Sequence, residues 1–258
     1  MFRVLLKKEF MEQRRTSRLL IVAVVFFIVG LISPLLAKYT PVLLRSIPNV
    51  PFDLAKLIPE PTLKDAVDQY VKNTNQFGIL LVILFTMNIM AQEIERGTAG
   101  MLFIKPVQRS ALVLAKWLVG MGVMLVGLLV GALACLAYTA ILFEPLPVAG
   151  FIKLNLLMAV TLGVYLTVSL CASALARTQA MAAAGAFGGL VLLLILGALP
   201  RLSDYMPGQL INWGISLMLG GLNAGGTTPV TWGALVVALG LMAGMLAIAC
   251  LRIEREEI

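Results

Sequence analysis

Hydrophobic residues run through the chain in six long blocks, at about 19–37, 77–91, 117–143, 154–176, 180–199 and 230–251. An α-helix rises 1.5 Å per residue, so roughly 20 apolar residues cover the ~30 Å of hydrocarbon in a bilayer. The blocks therefore predict six transmembrane helices. The second block is the shortest and carries Thr86 and Asn88. Its helix is predicted to start well before the apolar part. Thr62 and Asp65 fit a capping box, and Leu63, Ala66, Val67, Tyr70 and Val71 follow at helical spacing. That helix is predicted to run to about Glu95. Between the first two blocks, 38–76 is proline-rich and then helical. Segment 200–229 contains "MPGQLINWGISLMLGGLNAGG", apolar but broken by glycine. It predicts one or two short helices at, or dipping into, the outer interface. At the other extreme, residues 1–18 place Phe2, Leu5, Leu6 and Phe10 on one side of a helix flanked by Lys7, Lys8, Arg14 and Arg15. That pattern suits an amphipathic helix in the headgroup layer.

Composition agrees: 60% of the 258 residues are hydrophobic and 13% charged, far from the mix of a soluble domain. The expected fold is all-α, a single polytopic membrane domain over 1–258. Charge then sets an expected orientation. Of the 20 basic residues, those near the termini, in 92–116 and at Arg177 outnumber the others, which lie mostly in 38–76. The positive-inside rule thus places both termini in the cytoplasm of a plasma-membrane protein. The net charge of +7 is explained by topology, and no nucleic-acid partner is expected. The long polar start and the lack of an A-x-A-like site argue against a cleavable signal peptide.

The chain contains no histidine, which removes the commonest general base and metal ligand. Cys135, Cys171 and Cys250 all fall inside apolar blocks and read as small core residues. Without a Gly-x-Ser-x-Gly or paired intramembrane carboxylates, an intramembrane enzyme lacks its parts. The chemically dense stretch is "MNIMAQEIERGTAGMLFIKPVQR", residues 87–109. Glu93 and Glu95 stand at the C-terminal end of a helix, unfavourably for its dipole. Gly97 can end that helix and Thr98 can cap a short one over about 98–104. Pro106 and Arg109 precede the return into the membrane. Geometry alone leaves two readings open, a capped cytoplasmic turn or a docking helix.

The stretch "EIERGTAGMLFIKPVQRSALVLAKWL" resembles the signature of the type-2 permeases of ATP-binding-cassette exporters, carried by Glu93, Glu95, Arg96, Gly97, Thr98, Pro106, Val107, Arg109 and Lys116. "LLKKEFMEQRRTSRLL" is similar to that family's amphipathic N-terminal helix, and "SLCASALARTQAMAAAGAF" to its turn between the fourth and fifth spans. The tail "LRIEREEI" is more acidic than the family's usual basic ending. The resemblance implies a permease that moves cargo with ATP hydrolysed elsewhere. Its coupling helix would dock on the ATPase through Glu93, Glu95, Arg96, Gly97, Thr98, Met101, Leu102, Pro106 and Arg109. A P-loop needs lysine followed by serine or threonine, and no lysine here is so followed. The ATPase, with its ATP and magnesium, is therefore expected on a separate polypeptide, in two copies, with a second permease chain completing a dimer. The chain is not expected to be an enzyme by itself and carries no cofactor. Asn88 and Asn155, uncomfortable in lipid, are candidate pathway-lining residues. The alternative, an ATP-independent secondary transporter or channel, would want ionisable groups at mid-span, and the six blocks lack them. Gly127/Gly131, Gly185/Gly189 and Gly240/Gly244 predict close helix packing within one subunit, with the fifth span the best candidate for a dimer seam.

Overall fold

Backbone polar groups have no water to bond in hydrocarbon, so apolar blocks of this length must satisfy them internally, as helices do. The structure, a computed structural model, describes residues 2–45, 60–87, 109–143, 145–220 and 232–255. All regular structure among the described residues is helical. In chain order come α1 (Phe2–Arg15), α2 (Arg18–Arg45), α3 (Leu63–Thr86), α4 (Arg109–Leu142), α5 (Val148–Leu175), α6 (Gln179–Ala198), a 3-10 turn at Ser203–Tyr205, α7 (Gly208–Met218) and α8 (Trp232–Arg255). Among the described residues five of these, α2, α4, α5, α6 and α8, are long and apolar enough to cross a bilayer. The sixth long helix, α3, mixes an apolar half with a polar one that carries Lys64, Asp65, Asp68 and Lys72.

The start of α3 falls where its sequence places it. The Thr62 backbone N–H donates to Asp65 Oδ2 at 2.8 Å, and the Asp65 N–H donates to Thr62 Oγ1 at 3.4 Å. Each side chain thus satisfies a backbone donor that the first helical turn leaves over. The expected continuation of α3 to Glu95 lies outside the described residues beyond Met87. Helices α4 and α5 begin earlier than their apolar blocks, at Arg109 and Val148. Nothing in either approach stops a helix, so each continues past its apolar part.

Helix α5 is the axis of the bundle. Its most apolar stretch is 83% buried, against 17% for α6 and for α8. It runs parallel to α3, with Tyr70 bonding Asn155 and Gly78 packed on Leu162. Short connections fold α4 and α6 back antiparallel to it. Helix α7 lies lengthwise along one half of α5 rather than flat across the bundle's end. Thr161 Oγ1 donates to the Pro207 carbonyl at 3.3 Å, Gly214 seats Leu154, and Gly150 sits against the Met218 backbone.

The tightest crossing joins α2 to α4. A Cβ added at Gly131 would stand 2.7 Å from the Phe26 carbonyl oxygen, and one at Gly127 would meet Phe26 and Val22 side chains at 2.7 Å. The Gly127/Gly131 pair therefore packs within the subunit, as small residues allow. So does Gly185/Gly189, which faces Ala172 and Val168 of α5, whereas Gly240 and Gly244 on α8 have nothing within 4 Å. Cys135 and Cys171 are buried and Cys250 half-buried, all as free thiols.

Candidate functional site

Of the residues singled out for coupling, Glu93, Glu95, Arg96, Gly97, Thr98, Met101, Leu102 and Pro106 lie outside the described residues, as does Asn88. Arg109 is the first residue of α4. The structure describes the frame on both sides of that segment. Where the chain enters it, Met87 packs on Ala176 and Ala182. Those two residues flank the tight α5–α6 turn, where Thr178 caps α6 by accepting the Met181 N–H at 3.3 Å.

Where the chain leaves the segment, α4 carries Lys116 inward. A lysine at a span edge is expected to snorkel to water. Lys116 does not: its side chain is 2% exposed, and its Nζ stands 3.5 Å from Oε2 of Glu9, itself 2% exposed. The other Glu9 oxygen accepts from Lys8 Nζ at 3.2 Å. A carboxylate withdrawn from water costs several kcal/mol unless charge and hydrogen bonds replace the lost hydration, and two lysines supply them here. The pairing decides which face α1 turns inward. Glu9 and Gln13, one turn apart, are its buried residues, while Val4, Phe10 and Met11 are exposed. Helix α1 is thus bound to the root of α4 by the side that carries Glu9 and Gln13, where Leu5 and Leu6 are half-buried. The apolar side expected in the headgroup layer therefore turns partly inward, and Arg3, Val4, Lys7, Phe10 and Met11 stay exposed. The sequence held both partners, in "LLKKEF" and in the lysine of "LAKWL", but periodicity did not show that they meet.

Asn155, the described pathway candidate, has both polar groups engaged. Its Oδ1 accepts from the Tyr70 hydroxyl at 2.8 Å, and its Nδ2 donates to the Phe151 carbonyl at 2.9 Å. The Tyr70 and Phe151 rings lie 5.6 Å apart. Asn155 ties α3 to α5 while forming the polar spot of an otherwise apolar groove of about 290 Å³ between α4 and α5.

At the end of the bundle opposite Lys116, the sequence reading missed a second feature. Asp68, Lys72 and Asn75 of α3, Tyr165 of α5, Leu194 of α6 and Asn212 of α7 surround a cleft of about 410 Å³. It adjoins a cavity of about 370 Å³ that shares Tyr165, Leu194 and Asn212 and adds Ser203 and Gln209. Tyr165 and Asn75 bond through their side chains. Burial pushes the Asp68 carboxyl up from its ordinary value, against the opposing pull of Lys64 and Lys72. The signal in the sequence was the i, i+4, i+7 spacing of Asp68, Lys72 and Asn75, which reads equally as a solvated helix face.

The architecture defines a multi-pass helical membrane protein. Residues 3–258 match the family described as ABC-2 family transporter protein. The chain is also similar to the uncharacterized transmembrane protein YxlG of Bacillus subtilis (strain 168), 26% identical over 184 residues that cover 71% of each chain. With a match over nearly its whole length, the chain belongs to the ABC-2 transporter family.

Proposed function

We propose that the chain is the permease subunit of an ATP-driven exporter, working with a separate ATP-binding-cassette ATPase. Family membership over residues 3–258 carries this reading. In it, 92–116 forms the cytoplasmic coupling segment, and Glu93, Glu95 and Arg96 orient its short helix in a groove of the ATPase. Both termini are cytoplasmic, two permease chains sit on two ATPase chains, and ATP with magnesium binds the ATPase. The buried Glu9–Lys116 pair supports such a role, because it fastens the interfacial helix to the helix that leaves the coupling segment. A push on that segment would then move α1 and α4 as one body.

The test is retention of the ATPase encoded beside this chain on affinity-tagged permease after washing. Wild type retains it. Glu95→Arg inserts normally and loses it, since reversing a desolvated interfacial charge costs ~2–5 kcal/mol. Retention unchanged by reversals at Glu93, Glu95 and Arg96 contradicts the assigned contact, and no retention by wild type contradicts the permease reading.

A further inference from the structure

The cleft between α3, α5, α6 and α7 carries two charged groups, Asp68 and Lys72, that no coupling contact uses. Asp68 and Lys72 are one helical turn apart on its wall, and among the described residues neither closes an ion pair. Around them stand side chains that both donate and accept, Asn75 with Tyr165, and Gln209, whose Oε1 accepts from Asn212 Nδ2 at 2.9 Å, each keeping further donor or acceptor capacity. The α6 wall is apolar and continues onto the exposed side of that helix, where Leu194 is 51% exposed and Leu192 and Ile195 are exposed beside it. At about 410 and 370 Å³, the two adjoining spaces each fall in the range of small-molecule sites.

We propose that this cleft binds a zwitterionic amphiphile of the phospholipid type, its ammonium at Asp68, its phosphate at Lys72, and its chain along α6. An anionic headgroup would meet the Asp68 carboxylate, and a cationic one Lys72; only a headgroup carrying both charges satisfies both. The amides and the Tyr165 hydroxyl bond the remaining headgroup oxygens. The apolar wall excludes a fully water-soluble zwitterion as the best ligand, because α6 would then stay unmatched. The site lies within one chain and does not depend on the permease reading. It does define what a cargo or a resident lipid would look like there.

The experiment uses the full chain in phosphatidylglycerol nanodiscs, probed with a phosphatidylethanolamine that bears a photoactivatable acyl chain. Labelling is expected to saturate, to map to α3, α6 and α7, and to be displaced by unlabelled phosphatidylethanolamine but not by further phosphatidylglycerol. Asp68→Asn and Lys72→Gln each weaken labelling about tenfold, the worth of one hydrogen bond to a charged group. Lys72→Arg retains it, and Leu194→Trp, which fills the cleft without changing charge, abolishes it. Labelling displaced equally by phosphatidylglycerol, or spread over all lipid-facing helices, overturns the proposal. Displacement by soluble phosphoethanolamine at the lipid's own concentration overturns the amphiphile assignment. The wild-type competition stands even if a variant fails to fold. Since the assay holds no ATPase and no nucleotide, its failure leaves the permease reading where retention of the ATPase puts it.

Discussion

Glu9 and Lys116, 107 residues apart in the chain, form an ion pair with both side chains 2% exposed. The first helix is thereby pinned to the base of α4 through charge, on the side of α1 that also carries the half-buried Leu5 and Leu6. Removing one partner of a buried pair leaves an uncompensated charge, at a cost of about 3–5 kcal/mol. Lys116→Met is therefore expected to lower the thermal midpoint of the detergent-solubilised protein markedly. The double variant Lys116→Met with Glu9→Gln is expected to recover much of that loss. Size-exclusion melting curves check both. A double variant no better than Lys116→Met would show that the pair is not what holds α1.

The α2–α4 crossing depends on backbone approach, so it is intolerant of any side chain at its centre. Gly131→Val would press a Cβ to 2.7 Å from the Phe26 carbonyl oxygen. We expect it to abolish the yield of monodisperse protein. Gly244→Val, at a position with nothing within 4 Å, is expected to give wild-type yield in detergent. Equal yields from the two would contradict the packing described.

Asn155 and Tyr70 should behave as one unit. Asn155→Leu strands the buried Tyr70 hydroxyl, at a cost of about 1–3 kcal/mol. Tyr70→Phe added to Asn155→Leu is expected to cost less than the two single losses together, which a double-mutant cycle on thermal stability measures. Strict additivity would mean that the 2.8 Å hydrogen bond contributes nothing.

These three cases also show what the sequence could and could not disclose. The apolar blocks marked α2, α4, α5, α6 and α8, because hydrocarbon imposes a minimum length on every crossing. Thr62 and Asp65 marked the start of α3, because capping is local. One or two short helices within 200–229 were legible from the apolar, glycine-broken run, and α7 is one of them. That α7 lies along α5 was not legible, since nothing local to "GQLINWGISLM" records the Gly150 and Leu154 it packs on. That Lys116 meets Glu9, and that Asp68, Lys72 and Asn75 line a cleft, was not legible, because sequence spacing reports which residues share a face and not what stands opposite. The coupling stretch around Glu95 rests on resemblance alone, and it lies outside the described residues.

The proposed orientation rests on the distribution of basic residues, and cysteine accessibility tests it. In a background lacking Cys135, Cys171 and Cys250, a membrane-impermeant thiol reagent applied from outside is expected to label Asp53→Cys and Asp204→Cys. Gly97→Cys and Arg255→Cys should stay unlabelled until the membrane is opened. Labelling of Arg255→Cys in intact cells would reverse the assigned topology of the C-terminus.

The account's central claim is that this chain transports with energy released by another polypeptide. Its most direct test is ATP hydrolysis in proteoliposomes holding the purified chain alone, the neighbouring ATPase alone, and both together. The account predicts no hydrolysis by the chain alone, and hydrolysis by the assembled pair above that of the ATPase by itself. Hydrolysis by the chain alone, or an ATPase that neither binds the chain nor changes its rate, would contradict it.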